Sequence, residues 1–484
     1  MVTPLHLLLT VATVAILLLI GMVSGRHIND AHSFSVGGNA SSWMVCGIIM
    51  GTLVGGQSTV GTAQMAFSYG FSAWNFTLGT ALGALILGIF MVHPLRRRRV
   101  MTLGEILADT YGAVAERVSS ILSLLGIFVS IVAQVLAAAA LATALTGLSS
   151  RWAALLSSLF IVLFVFFGGI RSAGIGGVVK VALLYFSCLL VGGVVWHLSG
   201  GLRGLFDTMH HFLDTRPQLS LSQGLTADTI GTRYGNLFSR GAVKDVGAII
   251  SLILGVLSTQ TYAQALWAAR NDRAARNGAL AAALLTSLIG FACMLVGIYM
   301  RCHTLLPDEP TDGMPTSLLH DTAAAFPTFV LTHLPPALGG IVLGTLLVTI
   351  LGGGSGLTLG AATIVVRDIF PHRNTSLPFY RIVVVLLVGM ATAVALLVHQ
   401  TLINELGFLS LGLRATALVF PLLFALACPG HFRPNAALAS MVLGTAAMIA
   451  AHLSGAPLDP SWWGLGVGLI VMLLGWDRKG SQSC

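Results

Sequence analysis

Charged residues are scarce in this sequence. Asp, Glu, Lys and Arg together make up 9% of the 484 residues, and the 17 acidic residues are outnumbered by 25 basic ones. Soluble chains carry roughly 25% charged residues. With 56% hydrophobic residues and a mean hydropathy of +0.89, the composition excludes a soluble domain of this length. It predicts a polytopic protein embedded almost entirely in a membrane.

Several chemical motifs are also missing. The six cysteines show no paired spacing, so they predict neither a disulfide framework nor a metal site. The sequence has no His-Glu-x-x-His and no pair of carboxylates in the middle of an apolar span, so we do not expect an enzyme or a cofactor. No basic n-region or cleavage site precedes Arg26, and Pro4–Ser24 is therefore interpreted as a retained membrane helix rather than a signal peptide.

The net charge of +8 does not predict nucleic-acid binding, because the basic residues lie singly or in small groups in loops between apolar segments. Such residues are topology signals. They favour an N-terminus outside and a C-terminus in the cytoplasm of a bacterial-type plasma (inner) membrane. The expected partners are the lipid bilayer and a small-molecule solute, and a homo-oligomer is left open. The residues assigned to cytoplasmic loops include Arg26, Arg96–Arg99, Arg171, Arg270, Arg273, Arg276, Arg367, Arg373, Arg381 and Arg433.

Segment length and flanking charge predict an all-α protein with about thirteen transmembrane helices. We interpret residues 1–484 as one transporter domain. It would consist of an extra first helix (4–24), two inverted repeats (42–198 and 243–427) and two peripheral helices (435–476). The predicted spans are 4–24, 42–69, 76–94, 116–147, 152–169, 174–198, 243–267, 276–301, 337–366, 381–399, 404–427, 435–453 and 461–476.

The first span of each repeat is interrupted. Gly51–Gln64 places four glycines and several amide or hydroxyl side chains where an ordinary membrane helix has Leu and Val. Leu254–Gln264 repeats the pattern, with a glycine followed by a polar cluster. Two broken helices at corresponding positions indicate a transport site near the bilayer midplane. Close packing of small residues is the alternative explanation for either stretch alone. The polar candidates for substrate binding are Gln57, Ser58, Gln64, Gln260 and Gln264.

Four passages resemble the sodium:solute symporter family, which includes proline, pantothenate and sodium–glucose transporters. The resemblance extends over almost the whole chain. It implies a five-plus-five inverted-repeat fold of the leucine-transporter type, with one helix before the core and two after it. The passages are Ser35–Asn39, Ser58–Gly70, Ser258–Arg276 (with Gln260-Thr261-Tyr262-Ala263-Gln264) and Gly356–Ile369 (with Arg367-Asp368).

The sequence departs from this family at the sodium site. The resemblance implies backbone carbonyls from the first core helix, here around Gly51 and Val54, and two hydroxyls placed sixteen and fifteen residues before Asp368. Those two positions are Gly352 and Gly353, which have no hydroxyl. Thr349, Ser355 and Thr358 lie nearby but out of register. Backbone carbonyls alone would leave a hard cation with too few oxygen ligands.

The fifth core helix departs as well. When Gly168-Gly169 is matched to the family pattern, Gly176-Gly177 falls on a Thr-Asp pair and Lys180 falls on a Gln. An ionisable residue within an apolar helix is a functional candidate. Lys180 is expected to take the place of sodium, as a lysine does in proton-coupled amino-acid transporters of the same fold. The alternative is a structural lysine whose ammonium reaches water at the membrane surface.

Other polar residues in the spans have ordinary explanations. Asp245 and Glu405 fall near helix starts, where a carboxylate suits the helix dipole. Gln134 either lines the cavity or bonds a neighbouring helix. Arg414 is interpreted first as a packing or snorkelling residue, and contact with a substrate carboxylate or an outer-gate partner is the alternative.

These observations predict a secondary transporter for a small organic solute. Proton-coupled or sodium-independent transport through Lys180 is the first hypothesis. A sodium symporter with a shifted ion site, using Thr349, Ser355 or Thr358, is the second. A solute sensor with a transporter fold is the third, from a different functional class.

Overall fold

A computed structural model of the protein describes residues 2–25, 39–98, 100–222, 224, 227–312, 317–370, 376–398, 401–456 and 458–477. Ser35–Gly38, Arg26, Arg99 and Arg373 lie outside this part of the chain. The first half of the fold is a succession of helices. They are α1 (Pro4–Gly25), α2 (Ser42–Leu53), α3 (Thr62–Tyr69), α4 (Asn75–Ile86), α5 (Val92–Arg97), α6 (Leu103–Tyr111), α7 (Ala113–Thr146), α8 (Ser150–Ser199), α9 (Gly201–Asp214), α10 (Pro217–Ser222) and α11 (Ala227–Tyr234).

The second half is also helical and adds one small pair of strands. Thr304–Leu305 (β1) and Ser317–Leu318 (β2) pair in parallel within the loop after α14. Turns of π-helix occur at Gln57–Gly61, Leu87–Met91 and Val365–Ile369. The helices are α12 (Ala242–Leu257), α13 (Gln260–Ala268), α14 (Asp272–Arg301), α15 (Ala325–His333), α16 (Pro336–Ile364), α17 (Leu377–Leu397), α18 (Ile403–Ala427), α19 (Pro434–Leu453) and α20 (Pro460–Leu474).

The all-α membrane architecture is confirmed, but the number of thirteen spans is not. In the described residues, eight helices are long and apolar enough to cross a membrane, or up to nine if the bent pair α12–α13 is one span. Four further apolar stretches have only 10–17 described residues: Pro4–Leu19, Ser42–Leu53, Ser150–Phe166 and Pro460–Leu474. The second of these is short because its helix stops at a break.

Helix α8 is not straight. A Cβ built on Gly354 would lie 3.0 Å from Ile161, and one built on Gly352 would lie 3.3 Å from the Lys180 nitrogen. The two glycines are only two residues apart on α16, whereas a straight helix would separate Ile161 from Lys180 by about 28 Å. Helix α8 is therefore strongly bent between Ile161 and Lys180, and residues on both sides of the bend pack against α16.

The two breaks lie in the core of the fold. The broken pairs α2–α3 and α12–α13 lie among α7, α16 and α18, whose apolar faces belong to one continuous core. The pair α19–α20 packs mainly on itself and on α18. Asp245 near the start of α12 accepts hydrogen bonds from the Arg240 Nε at 2.7 Å and from the Ser72 hydroxyl at 3.1 Å. These contacts fix the entry of α12 beside α4.

Candidate functional site

The first break frees the carbonyls at the end of α2. The helix stops at Leu53, and Val54 adopts an extended conformation. Several of the freed groups accept hydrogen bonds from side chains, since a buried backbone group without a partner would be costly. The Ser58 hydroxyl donates to the Leu53 carbonyl at 3.0 Å, and the Thr59 hydroxyl donates to the Gly55 carbonyl at 3.0 Å. The Ser and Thr residues of this stretch therefore stabilise the break itself.

The ammonium of Lys180 is the partner of two carbonyls at the first break and of one carbonyl on α16. Its ammonium nitrogen donates to the carbonyl oxygens of Gly51 at 2.9 Å, Val54 at 3.3 Å and Thr349 at 3.2 Å. The side chain is only 3% exposed. Because the carbonyl end of a helix carries partial negative charge, the end of α2 is a favourable place for a cation. The three N–H groups of the ammonium match the three carbonyls.

Two glycines make room for this contact. A Cβ on Gly177 would lie 2.4 Å from the Gly47 carbonyl oxygen, so the absence of a side chain lets α8 touch α2. Lys180 follows one turn later on the same face and reaches Gly51, one turn further along α2. Gly352 faces the ammonium from α16, because its Cβ would lie 3.3 Å from Nζ. Gly177 and Gly352, two of the four glycines matched above to polar positions of the family pattern, therefore leave the space that the lysine needs.

Gln134 completes the first break from α7. Its side-chain oxygen accepts a hydrogen bond from the Gly56 amide at 2.7 Å. Gly55 packs directly on this amide group, since a Cβ there would lie 2.5 Å from the Gln134 oxygen. Gln134 is thus a partner of the unwound backbone, and its 1% exposure leaves it no contact with solvent.

The second break is bent by 44° between α12 and α13. Thr259 is extended, and its hydroxyl donates to the Gly255 carbonyl at 2.5 Å. Arg414 on α18 reaches this hydroxyl through Nη1 at 2.9 Å. It also donates to the Ser130 hydroxyl at 3.0 Å, and to the hydroxyl and carbonyl of Ser410 at 2.7 and 3.1 Å. A buried cation therefore lies at each break.

Three of the five substrate candidates bond to protein groups. Ser58 belongs to the first break, as described above. Gln64 accepts from the Ile403 amide at 2.9 Å and donates to the Thr322 hydroxyl at 3.2 Å, which joins α3 to α18 and to the loop before α15. Gln260 accepts from the Leu103 amide at 2.9 Å and donates to the Met101 carbonyl at 2.8 Å. Gln64 and Gln260 therefore hold loops against the broken helices.

The other two candidates keep a free donor. Gln57 and Gln264 are 6% and 2% exposed, and the Nε2 atom of each has no hydrogen-bond partner among the residues that the structure describes. A Cβ on Gly407 would lie 2.9 Å from the Gln57 Nε2, which places this amide against α18. Buried side-chain amides usually have partners. These two are therefore the candidates best suited to contact a bound solute.

The hydroxyls proposed for a shifted sodium site bond within α16. Thr349 donates to the Thr345 carbonyl at 2.7 Å, Ser355 to Gly352 at 2.9 Å and Thr358 to Gly354 at 2.7 Å. The carbonyl of Thr349, rather than its hydroxyl, faces Lys180. Gly353 packs against Gly55, whose Cα would lie 3.2 Å from its Cβ. In this conformation the ammonium of Lys180 lies against the Thr349 carbonyl and Gly352.

Sequence reasoning left open the roles of Arg414 and Gln134. The signal was present, since each is a polar residue in an otherwise apolar span, but the partner lies on another helix. In the sequence, Asp368 serves only as the reference from which Gly352 and Gly353 are counted. Its carboxylate accepts from the Ser120 hydroxyl at 2.5 Å, which joins the end of the α16 segment to α7.

Comparisons with known proteins agree on a family. The model of the sodium:solute symporter family matches residues 34–444. A Bacillus subtilis (strain 168) protein named uncharacterized symporter YwcA is 23% identical over 381 residues, covering 75% of this chain and 68% of the relative. The high-affinity choline transporters 1 of Torpedo marmorata and Drosophila melanogaster are each 23% identical, covering 82% and 73% of this chain but 66% and 55% of their own lengths.

One solved structure has the same fold. It is described as the substrate-bound outward-open state of a Na+-coupled sialic acid symporter with a novel Na+-site. It matches with a TM-score of 0.78 at 15% identity, and covers 98% of this chain and 97% of its own. At this identity the likeness establishes the fold alone.

Proposed function

Because the chain belongs to the sodium:solute symporter family, we propose that it is a secondary transporter that moves a small organic solute across the membrane by alternating access. We further propose that the Lys180 ammonium replaces a sodium ion, so that transport is proton-coupled or sodium-independent. One observation carries this second proposal. The ammonium bonds three backbone carbonyls of α2 and α16 at a place where Gly352 and Gly353 supply no hydroxyl.

Charge argues against a sodium ion at this point while the lysine is protonated. A cation within hydrogen-bond distance of the same carbonyls would lie next to the ammonium, and like charges repel strongly in a buried site. Each of these three carbonyl oxygens already accepts a hydrogen bond from the ammonium. A sodium ion would therefore have to displace the lysine or find it neutral.

Proton coupling follows if the carbonyl contacts depend on conformation. Lys180 is on α8, and its acceptors are on α2 and α16, so any movement that separates these helices removes hydrogen bonds from the charged form. A buried amine without acceptors favours its neutral form. One proton would then leave Lys180 in one conformation and return in the other, which couples the proton gradient to alternating access.

Purified protein in proteoliposomes tests the proposal. Uptake of labelled solutes should rise with an inward pH gradient and should not change when sodium is exchanged for potassium. Lys180→Gln should abolish the effect of the pH gradient, because it keeps the length and polarity of the side chain but cannot carry the proton. Lys244→Gln is the matched control, since Lys244 is exposed near the start of α12.

Three results separate the alternatives. Sodium-driven uptake that persists in Lys180→Gln would overturn the proposal and favour a sodium symporter. Solute binding without uptake would favour a sensor. Uptake that responds to pH equally in wild type and Lys180→Gln would place the proton-carrying group elsewhere.

We also propose the orientation with the N-terminus outside, in a bacterial-type inner membrane. The basic residues on the segments between spans support it, among them Arg96 and Arg97 in the last turn of α5. A protease site inserted in loop 302–336 should then be cut by enzyme added to intact spheroplasts. Cleavage only after lysis would reverse the orientation.

A further inference from the structure

We infer that the transported solute is a small organic anion whose carboxylate lies between Gln57 and Arg414. This inference rests on the proposed transport function and adds the chemical class of the solute. Three observations support it. The buried side chains at the two breaks carry positive charge, Gln57 and Arg414 each have an N–H group without an acceptor in the described part of the chain, and faces of α7 and α18 connect these two residues.

The charge balance around the breaks is positive. Lys180 and Arg414 are 3% and 1% exposed, and every hydrogen bond described for either of them goes to a neutral oxygen. Asp245 and Asp368, by contrast, bond groups at the ends of helices. A buried charge without a counter-charge is costly. An anionic solute would supply the missing negative charge when it binds.

Arg414 is the cation that remains available to an anion. A guanidinium has five N–H groups, and the contacts to Ser410, Ser130 and Thr259 use four of them. One N–H of Nη1 is left. Lys180 has no such surplus, because its three N–H groups are matched by three carbonyls. The two buried cations thus divide two roles between them, coupling at the first break and solute binding at the second.

Arg414 also lies close to the first break, because one face of α7 contacts both. On α7, Gly126, Ser130 and Gln134 follow one another at intervals of four residues and form one stripe. Gly126 packs on the Arg414 stem, where its Cβ would lie 2.6 Å from Cγ, and Ser130 accepts from the guanidinium. Gln134, one turn or about 6 Å further, holds Gly56 of the first break.

A row of residues on one face of α18 connects Arg414 to Gln57. Gly407, Ser410 and Arg414 lie on one face, and Gly407 touches the Gln57 amide. Seven residues of helix separate Gly407 from Arg414, which is about 10 Å. The free N–H groups of Gln57 and Arg414 are both donors, so they select an acceptor. A carboxylate is the acceptor that also neutralises the guanidinium.

Ligand-induced stabilisation of the protein in nanodiscs tests the solute class without relying on transport. The probes are carboxylic acids paired with their own amides, such as propionate with propionamide and lactate with lactamide, together with sialic acid and the cation choline. At millimolar concentration at least one acid should raise the unfolding midpoint by about 2 °C or more, because ligand binding stabilises the folded state. The matching amide should have no effect.

Two substitutions locate the binding. Arg414→Gln and Gln57→Leu should each lower the apparent affinity for the stabilising acid at least tenfold. Arg273→Gln, an exposed arginine at the start of α14, should leave it unchanged. If Arg414→Gln does not fold, Gln57→Leu still tests the site, and Arg414→Lys should retain partial binding because it keeps the charge.

Stabilisation by choline or by the amides instead of the acids would overturn the inference. So would the absence of stabilisation by every acid in the set, or an acid effect that survives both substitutions. These outcomes differ from failure of the proposed function. Acid binding without uptake would leave the solute class intact and remove transport, and acid uptake driven by sodium would remove only the role of Lys180.

Discussion

Gly352 lies directly opposite the ammonium of Lys180, and a Cβ built at this glycine would be 3.3 Å from the nitrogen. The family pattern places a hydroxyl at position 352, where a side chain would point at the cation site. The glycine and the lysine therefore form one unit, in which the smaller residue on α16 leaves space for the amine from α8. The relationship leads to a direct exchange experiment.

Replacing the lysine and restoring the hydroxyls should create sodium binding. In Lys180→Ala/Gly352→Ser/Gly353→Ser, the carbonyls of Gly51, Val54 and Thr349 would be joined by two hydroxyls, which gives a hard cation several oxygen ligands. We expect the unfolding midpoint of this variant to rise in sodium chloride compared with potassium chloride. The wild type should show no difference between the two salts.

The control keeps the lysine. Gly352→Ser/Gly353→Ser should not respond to sodium, because the ammonium still occupies the carbonyls. A Cβ on Gly353 would lie 3.2 Å from the Gly55 Cα, so Lys180→Ala/Gly352→Ser is a second variant that avoids this close contact. A sodium response in the wild type, or none in either lysine-free variant, would contradict the assignment of the site.

Gln134 should stabilise the first break. Gln134→Leu leaves the buried Gly56 amide without its acceptor, and an unsatisfied buried donor costs about 1–3 kcal/mol. The loss is measured as a decrease in the free energy of unfolding in a mixed-micelle denaturation series. Ser187→Ala is the control, since the Ser187 hydroxyl is buried without a partner, and its removal should change stability little.

Gln64 should limit access to Gln57 from the membrane side on which loop 302–336 lies. Gln64→Leu removes the hydrogen bonds to the Ile403 amide and the Thr322 hydroxyl, which weakens the attachment of α3 to the start of α18 and to that loop. We expect a cysteine placed at Gln57 in a cysteine-free background to react faster with an impermeant maleimide applied from this side.

The same cysteine variant with Gln64 intact sets the baseline rate. Gln260→Leu is the matched control, because the Gln260 side chain bonds Met101 and Leu103 instead. Equal labelling rates in all three proteins would argue that Gln64 does not hold the structure closed.

The ion pair between Arg240 and Asp245 should stabilise the fold strongly. The carboxylate is buried, bonds Nε of Arg240 at 2.7 Å and also accepts from the Arg240 amide at 3.1 Å. Asp245→Asn leaves the guanidinium without a counter-charge and should cost about 3–5 kcal/mol. Adding Arg240→Met should cost less than the sum of the single changes, because the unpaired charge is then gone.

An exposed pair provides the comparison. Arg433 and Asp477 are 3.5 Å apart with side chains 68% and 37% exposed, and Arg433→Gln should cost no more than about 1 kcal/mol. Similar losses for the two pairs in the same denaturation series would mean that burial does not decide their strength.

The sequence by itself determined the membrane class, the helical fold and the position of both breaks. Long apolar segments must satisfy their backbone internally, which leaves helices as the structure for this chain, and glycine-polar clusters mark where a helix stops. The sequence also showed that Gly352 and Gly353 have no hydroxyl and that Lys180 places an amine in an apolar helix. Each of these facts is a property of a single position.

Only the tertiary structure decided what these groups touch. Lys180 meets carbonyls 126 to 169 residues away, and Arg414 meets Thr259 at a separation of 155. Helical periodicity specifies which residues share a face, but not which helix packs against it or how far that helix is rotated. Gln260 and Gln57 show the consequence. Both are glutamines in broken helices, yet the first bonds a loop and the second keeps a free donor beside α18.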